Sequence, residues 1–413
     1  MDYSKKRWGV LIASCLIGLC IGALYTWSTF ATPMAEYLSM CTGQKITNLS
    51  YIYTIACASA PIDMIIGGFI VKKYGAKVVA IGGGIIFGLG MILSGFVTSP
   101  FALVLTYGIM VGVGTGFSYG IIISNTVKFF PERSGFAGGL VTTCFGASSI
   151  ILSPIANALV EKLGVLWAFR IIGFVMLVII IVAAFFIITA PESSEEVKVA
   201  TSTQLAENKV AKVVSPVRDV YYKDMLKTGD FYLMLLTMLC GSFAGMMVLS
   251  QTSQVAQFML GFDAAAAALV VSVVSLFNMV GRFVIGWVSD KLGPKNTLMI
   301  TFAITLVVNV ILFFYNGGSF VVAILCMAMT GFCYGGSLGL FPSFTQSRFG
   351  RKYHNVNYGL MYFGTALAGV FGPMAMSVIF SKLYLYQPAF LVAAAIALLG
   401  EVLVIILKIK KAS

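Results

Sequence analysis

The chain has 413 residues, of which 59% are hydrophobic and 10% charged, and its mean hydropathy is +0.96. Soluble domains carry about 25% charged residues, so this composition excludes a soluble fold and predicts an all-α integral membrane protein. The net charge of +12 does not indicate nucleic-acid binding, because the basic residues are scattered over short loops instead of forming one patch.

Twelve apolar stretches follow one another along the chain, each long enough for a helix of about 20 residues that crosses a bilayer. The first follows Lys5, Lys6 and Arg7 as a signal peptide would, but its apolar run is too long and no small-residue cleavage site follows it. It is therefore predicted to be a retained span. The twelve spans are predicted near residues 8–34, 47–71, 78–98, 101–127, 136–160, 165–190, 230–257, 264–288, 297–315, 320–346, 354–380 and 384–407.

The positions of the basic residues predict how the spans are oriented. If the N-terminus is cytoplasmic, 22 of the 27 Lys and Arg residues fall on the cytoplasmic side, and the remaining five are Lys45, Lys162, Arg170, Arg282 and Lys382. Cytoplasmic loops of membrane proteins are enriched in Lys and Arg. The pattern therefore predicts cytoplasmic termini, an even number of spans and a multi-pass protein of the plasma (inner) membrane.

One long polar stretch, from Pro191 to Gly229, separates the spans into six and six. Its many charged residues are typical of a cytoplasmic linker. The predicted organisation is an N-terminal six-helix bundle over residues 1–190, a linker over 191–229 and a C-terminal six-helix bundle over 230–413.

The two halves carry a repeated loop motif. Gly68-Phe-Ile-Val-Lys-Lys-Tyr-Gly-Ala-Lys77 lies between spans two and three and recurs as Gly286-Trp-Val-Ser-Asp-Lys-Leu-Gly-Pro-Lys295 between spans eight and nine. The tandem motif resembles the signature of the major facilitator superfamily over essentially the whole chain. The resemblance implies two pseudo-symmetric six-helix bundles that rock against each other, with a solute site near the membrane midplane.

The two copies of the motif are not equally close to the family signature. The second matches it well, whereas the first has Lys72 where the family usually has Asp. The resemblance implies that Asp290 holds the inward loop against neighbouring helices. The predicted gating motif comprises Gly286, Asp290, Lys291 and Gly293, and the alternative for either copy is a charged turn that merely joins two helices.

Two ionisable side chains, Asp63 and Arg282, lie deep within predicted spans, where a charge costs several kcal/mol. Arg282 stays protonated at physiological pH and presents a planar fork that matches a carboxylate. The sequence therefore predicts that Arg282 binds a small organic anion. Asn278, four residues earlier and hence on the same helical face, could bond a second oxygen of that anion. The alternative is a structural pair between Arg282 and a helix carbonyl or Asp63.

Aromatic residues lie near the centres of other spans and support an anion pocket. Their hydroxyl groups can donate to a carboxylate while their rings bound a small apolar space. Packing is the alternative for any one of them. The candidates are Tyr25, Tyr119, Tyr334 and Tyr362, with Thr365 on the same face as Tyr362.

A narrower resemblance rests on four stretches of sequence. They are Tyr25-Thr-Trp-Ser28, Leu276-Phe-Asn-Met-Val-Gly-Arg282, Tyr334-Gly-Gly-Ser337 with Leu340-Phe-Pro-Ser343, and Asn357-Tyr-Gly359. These resemble the oxalate/formate exchanger family and its relatives, the monocarboxylate transporters. The resemblance implies that Arg282 binds the substrate carboxylate.

The same resemblance favours a monocarboxylate over a dicarboxylate as the substrate of this chain. The oxalate exchanger has a second cation, a lysine, where alignment from Asn357-Tyr-Gly359 puts Thr365 in this chain. One cation instead of two favours a monocarboxylate such as lactate, pyruvate or formate. Animal monocarboxylate carriers typically have an aspartate at the position of Asn278, so their proton relay does not carry over. Asp63 is the remaining proton-coupling candidate, with a structural hydrogen bond as its alternative. A second alternative is that the anion neutralises Arg282 and the proton enters with no dedicated acid.

The sequence thus predicts a secondary transporter of small monocarboxylates, coupled to protons or exchanging anions by alternating access. An oxalate/formate-type dicarboxylate exchanger is the alternative substrate class, and a non-transporting membrane sensor of organic anions is the alternative of another class. An enzyme is not predicted, because one His and two deep ionisable residues supply no catalytic cluster. No metal or cofactor is predicted, since the cysteines lack metal-ligand spacing. The family resemblance implies a monomer.

Overall fold

The computed structural model describes residues 3–46, 48–191 and 219–410, and these residues form helices joined by short turns. Most of the predicted linker, residues 192–218, lies outside the described residues. The helices are α1 (Tyr3–Ile21), α2 (Trp27–Thr42), α3 (Ser50–Ala58), α4 (Ala60–Ser94), α5 (Pro100–Leu103), α6 (Gly112–Phe129), α7 (Ser134–Leu163), α8 (Val165–Ala184), α9 (Tyr222–Met225), α10 (Gly229–Leu260), α11 (Ala264–Leu292), α12 (Pro294–Phe313), α13 (Phe320–Phe349), α14 (His354–Leu383) and α15 (Gln387–Ile409).

Within the described part of the chain, 11 helical stretches are long and apolar enough to cross a membrane. One of them, Ser50–Ser94, has 45 residues, about twice the length that a single crossing needs. Its backbone leaves the helical conformation at Gly75, where φ is +83°, a value that favours glycine because it has no Cβ. The kink divides this stretch into the second and third predicted spans, so the prediction of about twelve transmembrane helices is confirmed.

Two spans of the N-terminal half contain irregular helical turns. A 3₁₀ turn at Gly22–Thr26 joins α1 to α2, and a π-helical segment at Val104–Val111 joins α5 to α6. A Cβ on Gly22, the first residue of the 3₁₀ turn, would lie 2.3 Å from the Phe145 carbonyl oxygen on α7, so the close approach requires glycine. Irregular turns of this kind often accompany functional positions, and Tyr25 lies within the 3₁₀ turn.

The described residues group into two compact units. The first contains the described residues within Met1–Pro131, Cys144–Val220 and Gln346–Leu360, and the second those within Glu132–Thr143, Tyr221–Thr345 and Met361–Ser413. Helices α7, α13 and α14 therefore each contribute to both units. The sequence-based division into residues 1–190, 191–229 and 230–413 follows chain order and stays a prediction.

Close backbone packing holds α11 against α13 in the second unit. Three α13 glycines, at spacings of four residues, face the α11 backbone one helical turn apart. Added Cβ atoms would lie 2.9 Å from the Val274 carbonyl oxygen at Gly331, 1.9 Å from that of Asn278 at Gly335 and 2.1 Å from that of Arg282 at Gly339. Small residues let helix backbones approach closely in membranes. This stripe fixes the part of α11 that carries Asn278 and Arg282.

Candidate functional site

Helix α11 carries Arg282 into the interior of the second unit. The helix begins with a side-chain cap, in which Asp263 Oδ1 accepts a hydrogen bond from the Ala266 N–H at 2.8 Å. It ends at Gly293, where φ is +81°. Arg282 is only 2% exposed, so its permanent charge is buried and requires polar surroundings.

The guanidinium group of Arg282 is held by two uncharged oxygen atoms. Its Nε and Nη2 atoms donate to Asn278 Oδ1 at 3.3 and 3.2 Å, and Nη1 donates to the backbone carbonyl of Thr142 on α7 at 3.0 Å. The predicted pair with a helix carbonyl is therefore present, and it coexists with the pair to Asn278. These bonds fix the direction of the fork, and both acceptors are uncharged oxygen atoms.

The Asn278 amide is bonded to protein groups at both ends, whereas a ligand-binding amide would leave one end for the ligand. Its Oδ1 accepts from Arg282, and its Nδ2 donates to the Gly331 carbonyl on α13 at 3.1 Å. Both ends of the amide are thus engaged by protein in this structure. Asn278 orients Arg282, and the predicted direct bond to a second ligand oxygen stays a prediction.

The candidate gating motif contacts the first turns of α7. Asp290 Oδ1 accepts from the Gly135 N–H and Oδ2 from the Phe136 N–H, both at 2.7 Å. These amides belong to a helix N-terminus, where N–H groups lack partners within the helix and favour negative charge. A Cβ on Gly135 would lie 2.1 Å from the Gly286 carbonyl oxygen, which shows how closely the two backbones approach.

Lys291 and Gly293, the other members of the motif, have local roles in the structure. The Lys291 ammonium group lies 3.9 Å from the centre of the Trp287 ring, close enough for a cation–π contact. Gly293 supplies the positive φ that separates α11 from α12. Asp290 is therefore the member whose side chain bonds to α7.

The first copy of the loop motif makes different contacts within the first unit. Lys72, at the position equivalent to Asp290, lies 5.6 Å from the centre of the Tyr353 ring. A Cβ on Gly68 would lie 2.9 Å from Val356. Gly75 has the same positive φ as its counterpart Gly293. The backbone of the repeat is thus preserved, but a cation–π contact replaces the carboxylate cap.

The remaining candidates of the second unit lie on α13 and α14. Tyr334 is buried, and its hydroxyl donates to the Met246 sulfur at 3.4 Å. Tyr362 is half-buried. Thr365 is buried and shares a hydrogen bond of 3.2 Å with Ser242 on α10. The position expected for a second cation is therefore occupied by a pair of neutral hydroxyl groups.

The two aromatic candidates of the first unit pack on one ring. The Phe145 ring on α7 lies 5.0 Å from Tyr25 and 4.6 Å from Tyr119, between ring centres. Tyr25 is half-buried and Tyr119 is buried. The structure thus brings these two residues, 94 positions apart in the chain, into a single aromatic cluster.

Asp63, the proton-coupling candidate, lies on α4 in the first unit and is 5% exposed. Its Oδ2 atom has no hydrogen-bond partner among the described residues. A Cβ on Gly116 of α6 would lie 2.5 Å from the Asp63 Cβ, so glycine leaves the space that this side chain occupies.

Sequence reasoning missed several groups that contact the candidates, among them the Thr142 carbonyl, Ser242 and Phe145. A backbone carbonyl carries no sequence signal, and Phe145 is one of 32 phenylalanines. Ser242 gives only a weak signal as a hydroxyl in an apolar span. The described residues contain no group of three or more His, Cys, Asp or Glu side chains that could hold a metal ion.

The chain is similar in sequence to membrane transporters over most of its length. It is 28% identical to the uncharacterized MFS-type transporter YhjX of Escherichia coli, over 89% of this chain and 87% of that protein. It is 27% identical to the oxalate:formate antiporter of Oxalobacter formigenes, with 89% and 83% covered. Monocarboxylate transporter 13 of Bos taurus is 26% identical, with 95% and 88% covered. The predicted resemblance to these two families is confirmed.

Solved structures show the same fold. The E. coli fucose:proton symporter FucP superposes with a TM-score of 0.72 at 13% identity, over 96% of this chain and 98% of that one. The proton:xylose symporter XylE gives 0.72 at 14% identity, over 97% and 95%. The sequence model of the Major Facilitator Superfamily matches residues 10–373. This chain is therefore a multi-pass membrane protein of the Major Facilitator Superfamily, a family of membrane transporters and not of enzymes.

Proposed function

We propose that the protein carries small monocarboxylates across the plasma membrane by alternating access, with Arg282 as the docking point for the carboxylate. The observation that carries this proposal is a permanently charged guanidinium group that is 2% exposed and whose direction is fixed by hydrogen bonds to Asn278 and the Thr142 carbonyl. A carboxylate carries the opposite charge and matches the geometry of the fork. The relatives named for oxalate, formate and monocarboxylates support the same substrate class.

The hydroxyl pair of Ser242 and Thr365 supports a monocarboxylate over a dicarboxylate. Neither group is charged, and both are buried, with Thr365 2% and Ser242 0% exposed. A second carboxylate held there would keep its charge without a balancing cation, which is costly in a buried site. Lactate, pyruvate and formate therefore suit this chain better than oxalate. An oxalate/formate-type exchanger is the second candidate, favoured by the similarity to the antiporter.

Transport into proteoliposomes tests substrate and coupling together. Uptake of radiolabelled lactate, pyruvate, formate and oxalate would be measured with and without an inward proton gradient and with unlabelled anion inside. We expect saturable uptake of at least one monocarboxylate and little uptake of oxalate. Oxalate uptake that exceeds all three monocarboxylates would overturn the charge argument from Thr365. Binding of anions without any flux would indicate a sensor instead of a transporter.

The role of Arg282 is tested by Arg282→Lys and Arg282→Ala. Lysine keeps the charge but loses the planar fork, so we expect uptake to fall by about tenfold or more, and alanine to abolish it. Arg170→Lys is the matched control, because Arg170 donates to the Gly95 carbonyl at 2.7 Å in the first unit and has no proposed contact with the anion. Wild-type uptake by correctly inserted Arg282→Ala protein would remove Arg282 from the binding site.

Asp63 is proposed as the proton carrier if transport responds to the proton gradient. Asp63→Asn keeps the size of the side chain but cannot exchange a proton. We expect this variant to lose stimulation by the gradient and to retain exchange of labelled for unlabelled anion. A variant that is still stimulated like the wild type would assign Asp63 to packing against Gly116.

A further inference from the structure

A hydrogen bond joins the two irregular helical segments of the first unit, the 3₁₀ turn at Gly22–Thr26 and the π-helical segment at Val104–Val111. The Tyr107 hydroxyl of the π-helical segment donates to the Leu24 carbonyl of the 3₁₀ turn at 3.1 Å. Tyr107 is fully buried, so this bond is shielded from water. The two residues are 83 positions apart in the chain, and tertiary packing brings the two segments together.

The Leu24 carbonyl is a group whose partner distinguishes a 3₁₀ turn from an α-helical one. In the structure it accepts from the Trp27 N–H, three residues later, which is the 3₁₀ pattern. In an α-helix it would accept from the Ser28 N–H, four residues later. A carbonyl oxygen has two lone pairs, and the Trp27 N–H and the Tyr107 hydroxyl together use both. The Tyr107 bond therefore favours the 3₁₀ form of this turn.

A second hydroxyl group supports the same turn. Thr26 Oγ1 donates to the Ala23 carbonyl at 2.7 Å, and this bond is also buried. A threonine hydroxyl that bonds to a carbonyl of the preceding turn competes with the regular backbone bonds of a helix. The Tyr107 ring adds an aromatic contact, with its centre 4.5 Å from that of Trp27. Side chains thus stabilise the irregular turn on which Tyr25 lies.

The form of the turn determines where the Tyr25 side chain points. A 3₁₀ helix has about 3.0 residues per turn and an α-helix about 3.6, so each step rotates a side chain by about 20° more in the 3₁₀ form. Over the three steps from Gly22 to Tyr25, the difference is about 60°. In the structure the Tyr25 ring packs edge-on against Phe145 at 5.0 Å. A change to the α-helical form would turn Tyr25 away from this ring.

We propose that Tyr107 is a positioning residue for substrate selectivity, because its bond to Leu24 keeps Tyr25 in the orientation that bounds the carbon chain of the carried acid. This inference rests on the proposed transport of monocarboxylates and on the predicted contact of Tyr25 with the substrate. Lactate and pyruvate have a carbon chain beyond the carboxylate, whereas formate has none. Loss of the Tyr107 hydroxyl therefore impairs recognition of lactate and pyruvate and leaves recognition of formate intact.

Tyr107→Phe tests this role, since it removes the hydroxyl and keeps the ring that packs on Trp27. Uptake of radiolabelled lactate, pyruvate and formate would be measured with the full chain in proteoliposomes. We expect KM for lactate and pyruvate to rise about fivefold, while the maximal rates and KM for formate stay within about twofold of the wild type. Thr26→Val, the second variant, should shift KM in the same way. Equal increases for all three acids, or no increase, would overturn the inference.

Thr106→Val is the matched control in the same π-helical segment. The Thr106 hydroxyl accepts from the Ser94 hydroxyl and donates to the Ala102 carbonyl, both at 3.0 Å. Valine removes these bonds and leaves the bond between Tyr107 and Leu24 in place. We expect wild-type KM values for all three acids. A change of selectivity equal to that of Tyr107→Phe would mean that general loosening of the segment is the cause, and would contradict the inference.

A double-mutant cycle tests whether Tyr107 acts through Tyr25. In the Tyr25→Ala background, we expect Tyr107→Phe to raise KM for pyruvate by less than about twofold, because residues that act together are not additive. The full increase in that background would show that Tyr107 acts by another route. An unchanged KM in Tyr25→Ala alone would also overturn the inference and leave the role of Arg282 standing. Failure of the proposed function is detected separately, by wild-type uptake in Arg282→Ala.

Discussion

Asn278 lies one helical turn before Arg282, and this spacing lets one amide oxygen accept from two nitrogens of the guanidinium. The amide is itself fixed by its bond to the Gly331 carbonyl. A pre-organised binding group loses less conformational freedom when its ligand arrives. The hydrogen bonds that link α13 to Asn278 and Asn278 to Arg282 thus determine the direction of the guanidinium fork before an anion binds.

Asn278→Ala should separate the effect of the orientation of the Arg282 guanidinium from the effect of its charge. The arginine would keep its charge but lose both bonds to the amide, so we expect KM for the transported monocarboxylate to rise by about tenfold, with a smaller change in the maximal rate. Uptake kinetics in proteoliposomes measure this.

Asn309→Ala is the contrasting variant, because Asn309 is also a buried asparagine of the second unit but bonds to Thr305 and Thr330. That variant should lower thermal stability and leave KM near the wild-type value. The same KM increase in both variants would show that Asn278 acts only through stability.

At the scale of elements, the glycine stripe of α13 sets the position of α11. The nearest neighbours of Gly335 and Gly339 are backbone atoms of α11, and the nearest neighbour of Gly331 is the Val274 carbonyl oxygen, so these neighbours cannot move aside cheaply. The contact also explains why α11 can carry a buried arginine: its backbone is supported over two helical turns around Asn278 and Arg282. The sequence analysis did not identify this stripe.

Gly339→Ala should destabilise the protein. An alanine Cβ would lie 2.1 Å from the Arg282 carbonyl oxygen, and relieving this overlap requires the helices to separate at a cost of about 1–3 kcal/mol. We expect a lower midpoint of thermal unfolding in detergent and weaker transport. The control is Gly82→Ala, since a Cβ on Gly82 would have no neighbour within 4 Å. Equal unfolding temperatures for the two variants would contradict the packing argument.

The end of the linker is tied to the turn between α13 and α14. Within the first unit, Asp219 Oδ1 accepts from the Arg351 and Lys352 N–H groups at 2.7 and 3.0 Å, and Val220 donates to the Phe349 carbonyl at 3.0 Å. Asn357 Nδ2 donates to the Val220 carbonyl at 3.0 Å. These bonds connect the last part of the predicted linker to the start of α14.

Asp219→Ala should loosen this turn without affecting the spans. Because trypsin cleaves after Lys and Arg, we expect faster cleavage after Arg351 and Lys352 in the variant. Asp224→Ala is the control, since Asp224 is also exposed and its identified ion pair is a local one with Lys227 at 3.3 Å. Identical cleavage rates for the two variants would assign no restraining role to Asp219.

At the scale of the whole molecule, the proposed topology places both termini in the cytoplasm and the turn after α2 on the outside. Cys41 lies at the end of α2 and is exposed, whereas the other seven cysteines are in helices within predicted spans. A membrane-impermeant maleimide should therefore label intact cells or right-side-out vesicles through Cys41. The Cys41→Ser variant should lose this labelling. Labelling of the wild type only after the membrane is opened would reverse the predicted orientation.

The number of spans could be predicted from sequence because a bilayer imposes one length and one polarity on every crossing. The repeated loop motif likewise revealed the superfamily, and in both copies its glycine adopts the positive φ that the turn needs, at Gly75 and Gly293. Merging of the second and third spans into one helical stretch was not predicted, because a single kink residue between two apolar runs carries little signal.

The sequence by itself determined that Arg282 is a buried cation that needs a partner, because a charge deep in an apolar span is costly wherever the helix faces. It also determined that the position of Thr365 carries no second cation. Only the tertiary structure decided that Asn278 and the Thr142 carbonyl hold the guanidinium, that Ser242 pairs with Thr365, and that Tyr25 and Tyr119 share Phe145. The reason is physical: these partners come from helices distant in the chain, and backbone carbonyls are identical at every position until packing selects one.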